Sequence, residues 1–141
     1  MPFRILIDDD QQEQITAMVA LLRGLDVTIE IATDGSQALQ CLLNGPFDLS
    51  LLDMHMPRLT GLEVLGQLQQ AGQLVPSILM TGNPSREIEM AAMDLGVITL
   101  LYKPIPAEVL RITVQQFFSL PSDHPRPLMG PGDLPTTGEP W

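Results

Sequence analysis

Short apolar runs alternate along this chain with segments whose apolar residues recur at helical spacing, and the alternation occurs five times between Phe3 and Phe118. The third run, which ends at Asp53, is almost continuously apolar, as in a strand that is buried on both faces. Repeated strand–helix units predict a parallel sheet with helices on both faces, because right-handed crossovers place each helix over the sheet. We therefore expect an α/β fold of five β-α units in order.

Three of the apolar runs stop at charged residues. The first stops at Asp8-Asp9-Asp10, the third at Asp53, and the fifth at Lys103, which is the only lysine of the chain. In sheets of this kind ligands sit beyond the carboxyl ends of the strands, so we expect these charges to meet at one edge. Clustered carboxylates need a cation and an isolated lysine needs an anion, which indicates a divalent metal together with a phosphoryl group.

Composition limits the possible partners and the compartment. The 141 residues suggest one main folded domain, and a formal net charge of −10 opposes contact with nucleic acid or anionic lipid. We expect no direct nucleic-acid binding and no membrane association, since no apolar run approaches the roughly 20 residues that span a bilayer. Cys41 is the single cysteine, which excludes an internal disulfide and favours a reducing, cytoplasmic location without a signal peptide.

Two boundaries follow from local signals. We expect a folded domain over residues 1–119 and a proline-rich tail or linker over residues 120–141, disordered because it has few core-forming side chains. Within the domain, Asn83 followed by Pro84 predicts the cap and first position of the fourth helix.

Several short motifs stand at the strand ends and in the turns that follow them. In chain order they are Arg4-Ile5-Leu6-Ile7 with the three aspartates, Thr33-Asp34-Gly35, the segment Asp48 to Pro57 around Asp53, Gly61-Leu62, Met80-Thr81-Gly82 and Tyr102-Lys103-Pro104-Ile105. This set resembles the receiver domain of bacterial response regulators, and the resemblance covers Phe3 to about Phe118. It implies a flavodoxin-like, five-stranded parallel sheet and a role in a two-component phosphorelay.

The resemblance also implies partners. A receiver of this kind takes a phosphoryl group from a phosphohistidine on a sensor histidine kinase or a histidine phosphotransfer protein. It is not itself classed as an enzyme, and it acts through contacts with an output protein, here unknown. Homodimers are common in the family, so one is possible here.

Individual residue roles follow from the same resemblance. Asp53 matches the phosphoryl acceptor, Lys103 and Thr81 would contact the phosphoryl oxygens, and a cis peptide bond before Pro104 is the family's habit. Mg²⁺ would be held by an acidic pair, by Asp53 and by the backbone carbonyl of His55. The His55 imidazole has no implied metal role and is expected to face solvent.

The identity of the acidic pair is open from the sequence alone. Counting back without gaps from Asp34-Gly35 selects Asp9 and Asp10, whereas counting forward from the apolar run selects Asp8 and Asp9. We favour Asp9 and Asp10. Asp8 then replaces a residue that is usually apolar, and it remains a possible ligand.

Two features depart from the family. Leu100 stands three positions before the lysine, where receivers usually place an aromatic residue, and Tyr102 adjoins the lysine instead. Ser50 occupies a normally apolar position of the central strand and is interpreted as structural. The phosphorylation site could thus be intact while the signalling step is altered.

Two alternative functions share part of this pattern. Haloacid-dehalogenase-type phosphatases also combine an Asp-x-Asp pair with a later threonine and lysine, but here Gln11-Gln12 replaces the expected Gly-Thr and Asp53 would have no role. The second alternative is a receiver-like module that binds partners without being phosphorylated, for which Leu100 is the only argument.

Overall fold

A computed structural model describes residues 3–119, so the expected proline-rich tail lies outside the described residues. The strands are β1 (Phe3–Asp8), β2 (Val27–Ala32), β3 (Leu49–Asp53), β4 (Ser77–Thr81) and β5 (Thr99–Tyr102). The helices are α1 (Gln12–Leu22), α2 (Gly35–Asn44), α3 (Gly61–Gln70), α4 (Arg86–Asp94) and α5 (Ala107–Ser119). All strand pairs are parallel, in the order β2-β1-β3-β4-β5. The predicted flavodoxin-like (βα)5 fold is confirmed.

The core has two layers, one on each face of the sheet. Ile5 and Ile7 of β1 pack with side chains of α1 and α5, whereas Leu6 packs with side chains of α2, α3 and α4. This division follows from the two-residue period of a strand, which sends successive side chains to opposite faces. No helix within residues 3–119 combines the length and the apolarity that a membrane span requires.

The strand register places the charged strand ends side by side. Asp8, the last residue of β1, pairs with Ala32 of β2 and with Leu52 of β3. On the other side of β3, Asp53 pairs with Met80 of β4. The carboxyl ends of β1, β3 and β4 therefore meet at one edge of the sheet.

The expected start of the fourth helix is wrong by two residues. Ser85, rather than Asn83, is the N-cap, and its hydroxyl accepts a hydrogen bond from the backbone N–H of Ile88 at 3.1 Å. The backbone N–H of Asn83 instead donates to Thr81 Oγ1 at 3.1 Å. Asn83 thus belongs to the loop that follows β4, because its backbone is bound to the strand end rather than to the helix.

Ser50 has a structural contact, as expected, and the contact is to a side chain of the neighbouring strand. Its buried hydroxyl lies 2.5 Å from that of Ser77 on the neighbouring strand, and Ser77 donates in turn to the carbonyl of Val75. A serine on β3 is tolerated because this pairing satisfies its hydroxyl away from water.

Candidate functional site

Asp53 lies at the centre of the site, where β3 ends. It is almost fully buried, and each of its carboxylate oxygens has one partner. Lys103 Nζ donates to Oδ2 at 2.7 Å, and the backbone N–H of His55 donates to Oδ1 at 3.0 Å. The peptide bond between Lys103 and Pro104 is cis, as the resemblance implied. The structure thus brings together Asp53 and Lys103, two of the residues predicted from the sequence.

A group of three carboxylates meets beside the lysine. One oxygen each from Asp9, Asp10 and Asp53 lies within 4.8 Å of the others. Asp9 is buried; its Oδ1 accepts from the backbone N–H of Gln11 at 2.9 Å, while its Oδ2 has no hydrogen-bond partner among residues 3–119. Burial raises the pKa of Asp9, and the Gln11 N–H and Lys103, which lies 3.9 Å from Asp9, partly offset that rise.

These oxygens fit a hard divalent cation. Such ions take carboxylate oxygens as ligands and complete their shell with water, so a buried carboxylate oxygen without a protein partner is a suitable donor. The converging set contains Asp9 and Asp10, the pair that counting back from Asp34-Gly35 selected.

Asp8 is fully buried, as Asp9 is, but it differs from Asp9 in its hydrogen bonding. Neither of the Asp8 oxygens has a hydrogen-bond partner in the described part of the chain, whereas Asp9 Oδ1 has one. Burial first, and then the nearby carboxylates of Asp53 and Asp34, raise the pKa of Asp8 from 3.8 to about 8. Asp8 is not in the converging group, so Asp9 and Asp10 are the members of the aspartate triplet whose oxygens lie near those of Asp53.

Thr81 ends β4 next to the acceptor strand, and its side chain is buried. Thr81 Oγ1 accepts from the backbone N–H of Asn83 and also lies 3.2 Å from Nε2 of His55. His55 is exposed, as expected, and its ring makes an additional contact with Thr81 that was not predicted. The sequence signal that could have found this contact is the position of His55, two residues past Asp53, on a loop that leaves the strand beside β4.

Leu100 and Tyr102, the two residues that depart from the family's aromatic pattern, have different surroundings. Leu100 is buried in the layer shared with α4, where it packs as a core side chain. Tyr102 is 40% exposed, and its hydroxyl donates to Glu89 Oε1 on α4 at 2.6 Å. Burial and this carboxylate raise the pKa of Tyr102 to about 12. Tyr102 thus connects β5 to α4 on the surface, and Leu100 cannot reproduce a polar contact there.

Chemically, the site can accept an electrophilic group that carries negative charge. A carboxylate is a modest nucleophile, so a reaction at Asp53 depends on position and on neutralisation of charge. The Lys103 ammonium supplies one positive charge at 2.7 Å, and the three converging carboxylates could hold a second on a cation. A phosphoryl group is electrophilic at phosphorus and carries negative charge on its oxygens, so it fits this site.

Comparison with known proteins gives consistent matches. A sequence model described as the response regulator receiver domain matches residues 5–115. The response regulator MprA of Mycobacterium sp. (strain KMS) is 36% identical over 110 residues, which are 78% of this chain and 48% of that protein. The transcriptional regulatory protein DltR of Streptococcus agalactiae serotype III (strain NEM316) is 33% identical over 107 residues, which are 76% of this chain and 48% of that protein.

A solved structure matches the fold as well. The response regulator receiver domain protein (CheY-like) from Methanospirillum hungatei JF-1 has a TM-score of 0.76 and 25% identity, covering 82% of this chain and 93% of that one. The chain spans about half the length of the two curated relatives, as their coverage of 48% indicates.

Proposed function

Since the chain belongs to the response regulator receiver domain family, we propose that Asp53 accepts a phosphoryl group from a phosphohistidine in a two-component phosphorelay. The observation that carries this proposal is the 2.7 Å contact between Lys103 Nζ and Asp53 Oδ2. Beside it, Asp9 Oδ2 lies 3.9 Å from the same Nζ and has no hydrogen-bond partner among residues 3–119. Phosphoryl transfer depends mainly on positioning and on neutralisation of charge, and an acceptor carboxylate, a nearby ammonium and carboxylate oxygens that could bind a cation can supply both.

Asp53, Lys103 and Thr81 have separate roles in the proposed transfer. A carboxylate oxygen of Asp53 forms the new O–P bond while the P–N bond of the phosphohistidine breaks, and the leaving imidazole takes up a proton. The Lys103 ammonium, as a point charge, can contact the phosphoryl oxygens and neutralise their negative charge. Thr81, at the adjacent strand end, offers one hydroxyl hydrogen.

Asp9, Asp10, Asp53 and the backbone carbonyl of His55 would hold Mg²⁺. Receiver domains bind this ion at an acidic cluster, and when bound it neutralises the charge of the carboxylates and of the incoming phosphoryl oxygens. The convergence of three carboxylate oxygens supports this ligand set. Asp8, which lies outside that group, is not included in it.

The proposed partners follow from this reaction. A sensor histidine kinase or a histidine phosphotransfer protein supplies the phosphoryl group, and an output protein distinguishes the two states of the switch, because a partner with equal affinity for both would shift nothing. We place the domain in the cytoplasm and leave homodimerisation as one form of output. The name of DltR states transcriptional regulation, but the match covers only 48% of that protein, so we assign no nucleic-acid contact to this domain.

Intact mass after incubation with Mg²⁺ and acetyl phosphate tests the acceptor. We expect one phosphoryl adduct, stable in acid and labile in base, on the wild-type protein and none on Asp53→Asn, because the amide is not a comparable nucleophile. Asp94→Asn, on the exposed end of α4, is the matched control and should keep the adduct. An adduct that persists in Asp53→Asn would contradict the assignment, and its absence from a folded wild-type protein would favour the non-phosphorylated binding module.

Thermal unfolding tests the metal site independently of phosphorylation. The carboxylates repel one another without a cation, so a cation that binds only the native state should raise the melting temperature. Each kcal/mol of binding free energy corresponds to roughly 4–8 °C in domains of about 60–100 residues and to roughly 2–4 °C in domains of about 150–250 residues. The melting temperature of wild type should therefore be higher in millimolar MgCl₂ than in NaCl of equal ionic strength. The corresponding increase for Asp9→Asn should be much smaller. Equal melting temperatures in the two salts would count against the site.

A further inference from the structure

The hydroxyl group of Thr81 has two partners in the described part of the chain, and they differ in what they can do. The backbone N–H of Asn83 is a donor only, and it lies 3.1 Å from Oγ1. The His55 Nε2 lies 3.2 Å from the same oxygen and could either donate or accept. Thr81 itself is fully buried, so its hydroxyl hydrogen needs an acceptor within the protein.

These partners point to one direction for the second hydrogen bond. A threonine hydroxyl has one hydrogen and two acceptor positions, and Asn83 occupies one of the acceptor positions. Since Asn83 offers no acceptor to Oγ1, His55 Nε2 is the acceptor that the site provides for the hydrogen of Thr81. A neutral imidazole that accepts at Nε2 carries its own hydrogen on Nδ1.

We propose that His55 is a positioning residue that holds the Thr81 hydroxyl hydrogen in the unphosphorylated site and competes with the aspartyl phosphate for it. The inference rests on the function proposed above. Thr81 has only one hydrogen to donate, so a phosphoryl oxygen on Asp53 can receive it only if His55 Nε2 gives it up. The bond to His55 therefore opposes the phosphorylated state.

The main chain of His55 also contacts the phosphoryl acceptor, Asp53. Its N–H donates to Asp53 Oδ1 at 3.0 Å, while its ring contacts Thr81 on the neighbouring strand. A single residue thus contacts both Asp53 and Thr81. A change of the ring leaves the backbone N–H and the backbone carbonyl in place, so the side-chain effect can be measured separately.

A double-mutant cycle on the full-length chain tests the proposal. Beryllofluoride, a stable mimic of the phosphoryl group, is titrated at fixed Mg²⁺ and pH 8 into wild type, His55→Phe, Thr81→Ala and the double variant, and binding is followed by amide NMR. A neutral hydrogen bond contributes enough that we expect His55→Phe to bind beryllofluoride about threefold to tenfold more tightly than wild type. The same change should have no effect in the Thr81→Ala background. His55→Gln, which keeps an acceptor oxygen, should remain close to wild type.

Long-range ¹H–¹⁵N spectra of the imidazoles give a second readout that needs neither phosphate nor metal. We expect His55 to carry its hydrogen on Nδ1. His124 gives the other histidine signal, from which that of His55 must be distinguished. Each of three results would overturn the proposal. The first is a hydrogen on Nε2 of His55, and the second is a beryllofluoride affinity that falls or stays constant in His55→Phe. The third is an equal change in affinity in both Thr81 backgrounds. If no variant binds beryllofluoride or forms an adduct, the phosphoacceptor function itself is wrong, and the competition fails with it; normal wild-type binding without the Thr81-dependent difference removes only the role of His55.

Discussion

Replacing Asp8 with valine is expected to stabilise the metal-free protein by roughly 2–4 kcal/mol at pH 7, because it removes a buried carboxyl group that has no partner. Asp8 is fully buried at the end of β1, and neither oxygen has a hydrogen-bond partner among residues 3–119. Its pKa rises from 3.8 to about 8 on folding. Each unit of that difference corresponds to about 1.4 kcal/mol, and about three units separate 3.8 from pH 7.

The sign of the pH dependence follows from the same shift. Below about pH 4 the carboxyl is protonated in both the folded and the unfolded state, so it costs the folded protein little beyond its burial. Between pH 4 and pH 8 the unfolded state ionises while folded Asp8 keeps its proton, so stability falls by up to about 1.4 kcal/mol per pH unit. Valine removes this contribution, and the stability of Asp8→Val should depend much less on pH.

Urea unfolding in EDTA at pH 5, 6, 7 and 8 measures both effects. Asp8→Asn separates the charge from the polarity, since the amide cannot ionise but is still buried without a partner. Asp94→Asn removes one carboxylate from an exposed position on α4 and should leave the pH dependence as in wild type. An Asp8→Val protein that is less stable than wild type at pH 8 would show that Asp8 has a compensating partner.

Replacing Gly35 with alanine is the second large expected effect, a loss of about 3 kcal/mol, at the upper end of the range for overpacking. Gly35 is the first residue of α2, and its N–H donates to the carbonyl of Pro57 at 3.1 Å. An added Cβ would collide with the carbonyl oxygen of Leu59 and lie 2.7 Å from both its carbonyl carbon and its Cβ. Two of these three atoms are backbone, so no rotation of a side chain can relieve the collision.

The same substitution should also disturb the site. The loop that would have to move joins β3 to α3, and it carries His55, whose N–H binds Asp53. We therefore expect Gly35→Ala to slow adduct formation with acetyl phosphate as well as to lower the free energy of unfolding. The two quantities are measured by intact mass over time and by urea unfolding.

Gly66 provides the matched control for this glycine. It lies inside α3, where an added Cβ would meet nothing within 4 Å. Alanine there should stabilise the protein by about 0.5–1 kcal/mol, because glycine is a poor residue within a helix. Equal effects of the two substitutions would contradict the close approach of Leu59 to Gly35.

Much of the architecture could be predicted from the sequence, because its signals are local. The alternation of apolar runs with helical periodicity predicted five strands and five helices, and the charges after the runs predicted one site at the carboxyl edge. The fourth helix shows the limit of such signals. Asn83 and Ser85 are both capable caps, and the choice depended on the bond from Asn83 to Thr81, a residue of another element.

The order of apolar and charged residues along the chain determined the fold class and the positions of Asp53 and Lys103, since strand polarity and periodicity depend only on neighbours in sequence. The tertiary structure alone decided that Asp9 and Asp10, rather than Asp8, converge with Asp53, and that the His55 ring contacts Thr81. Those outcomes depend on which strands are adjacent and on which side of β1 each carboxylate lies. The same reason makes Asp8 a buried acid, because its environment comes from residues distant in sequence.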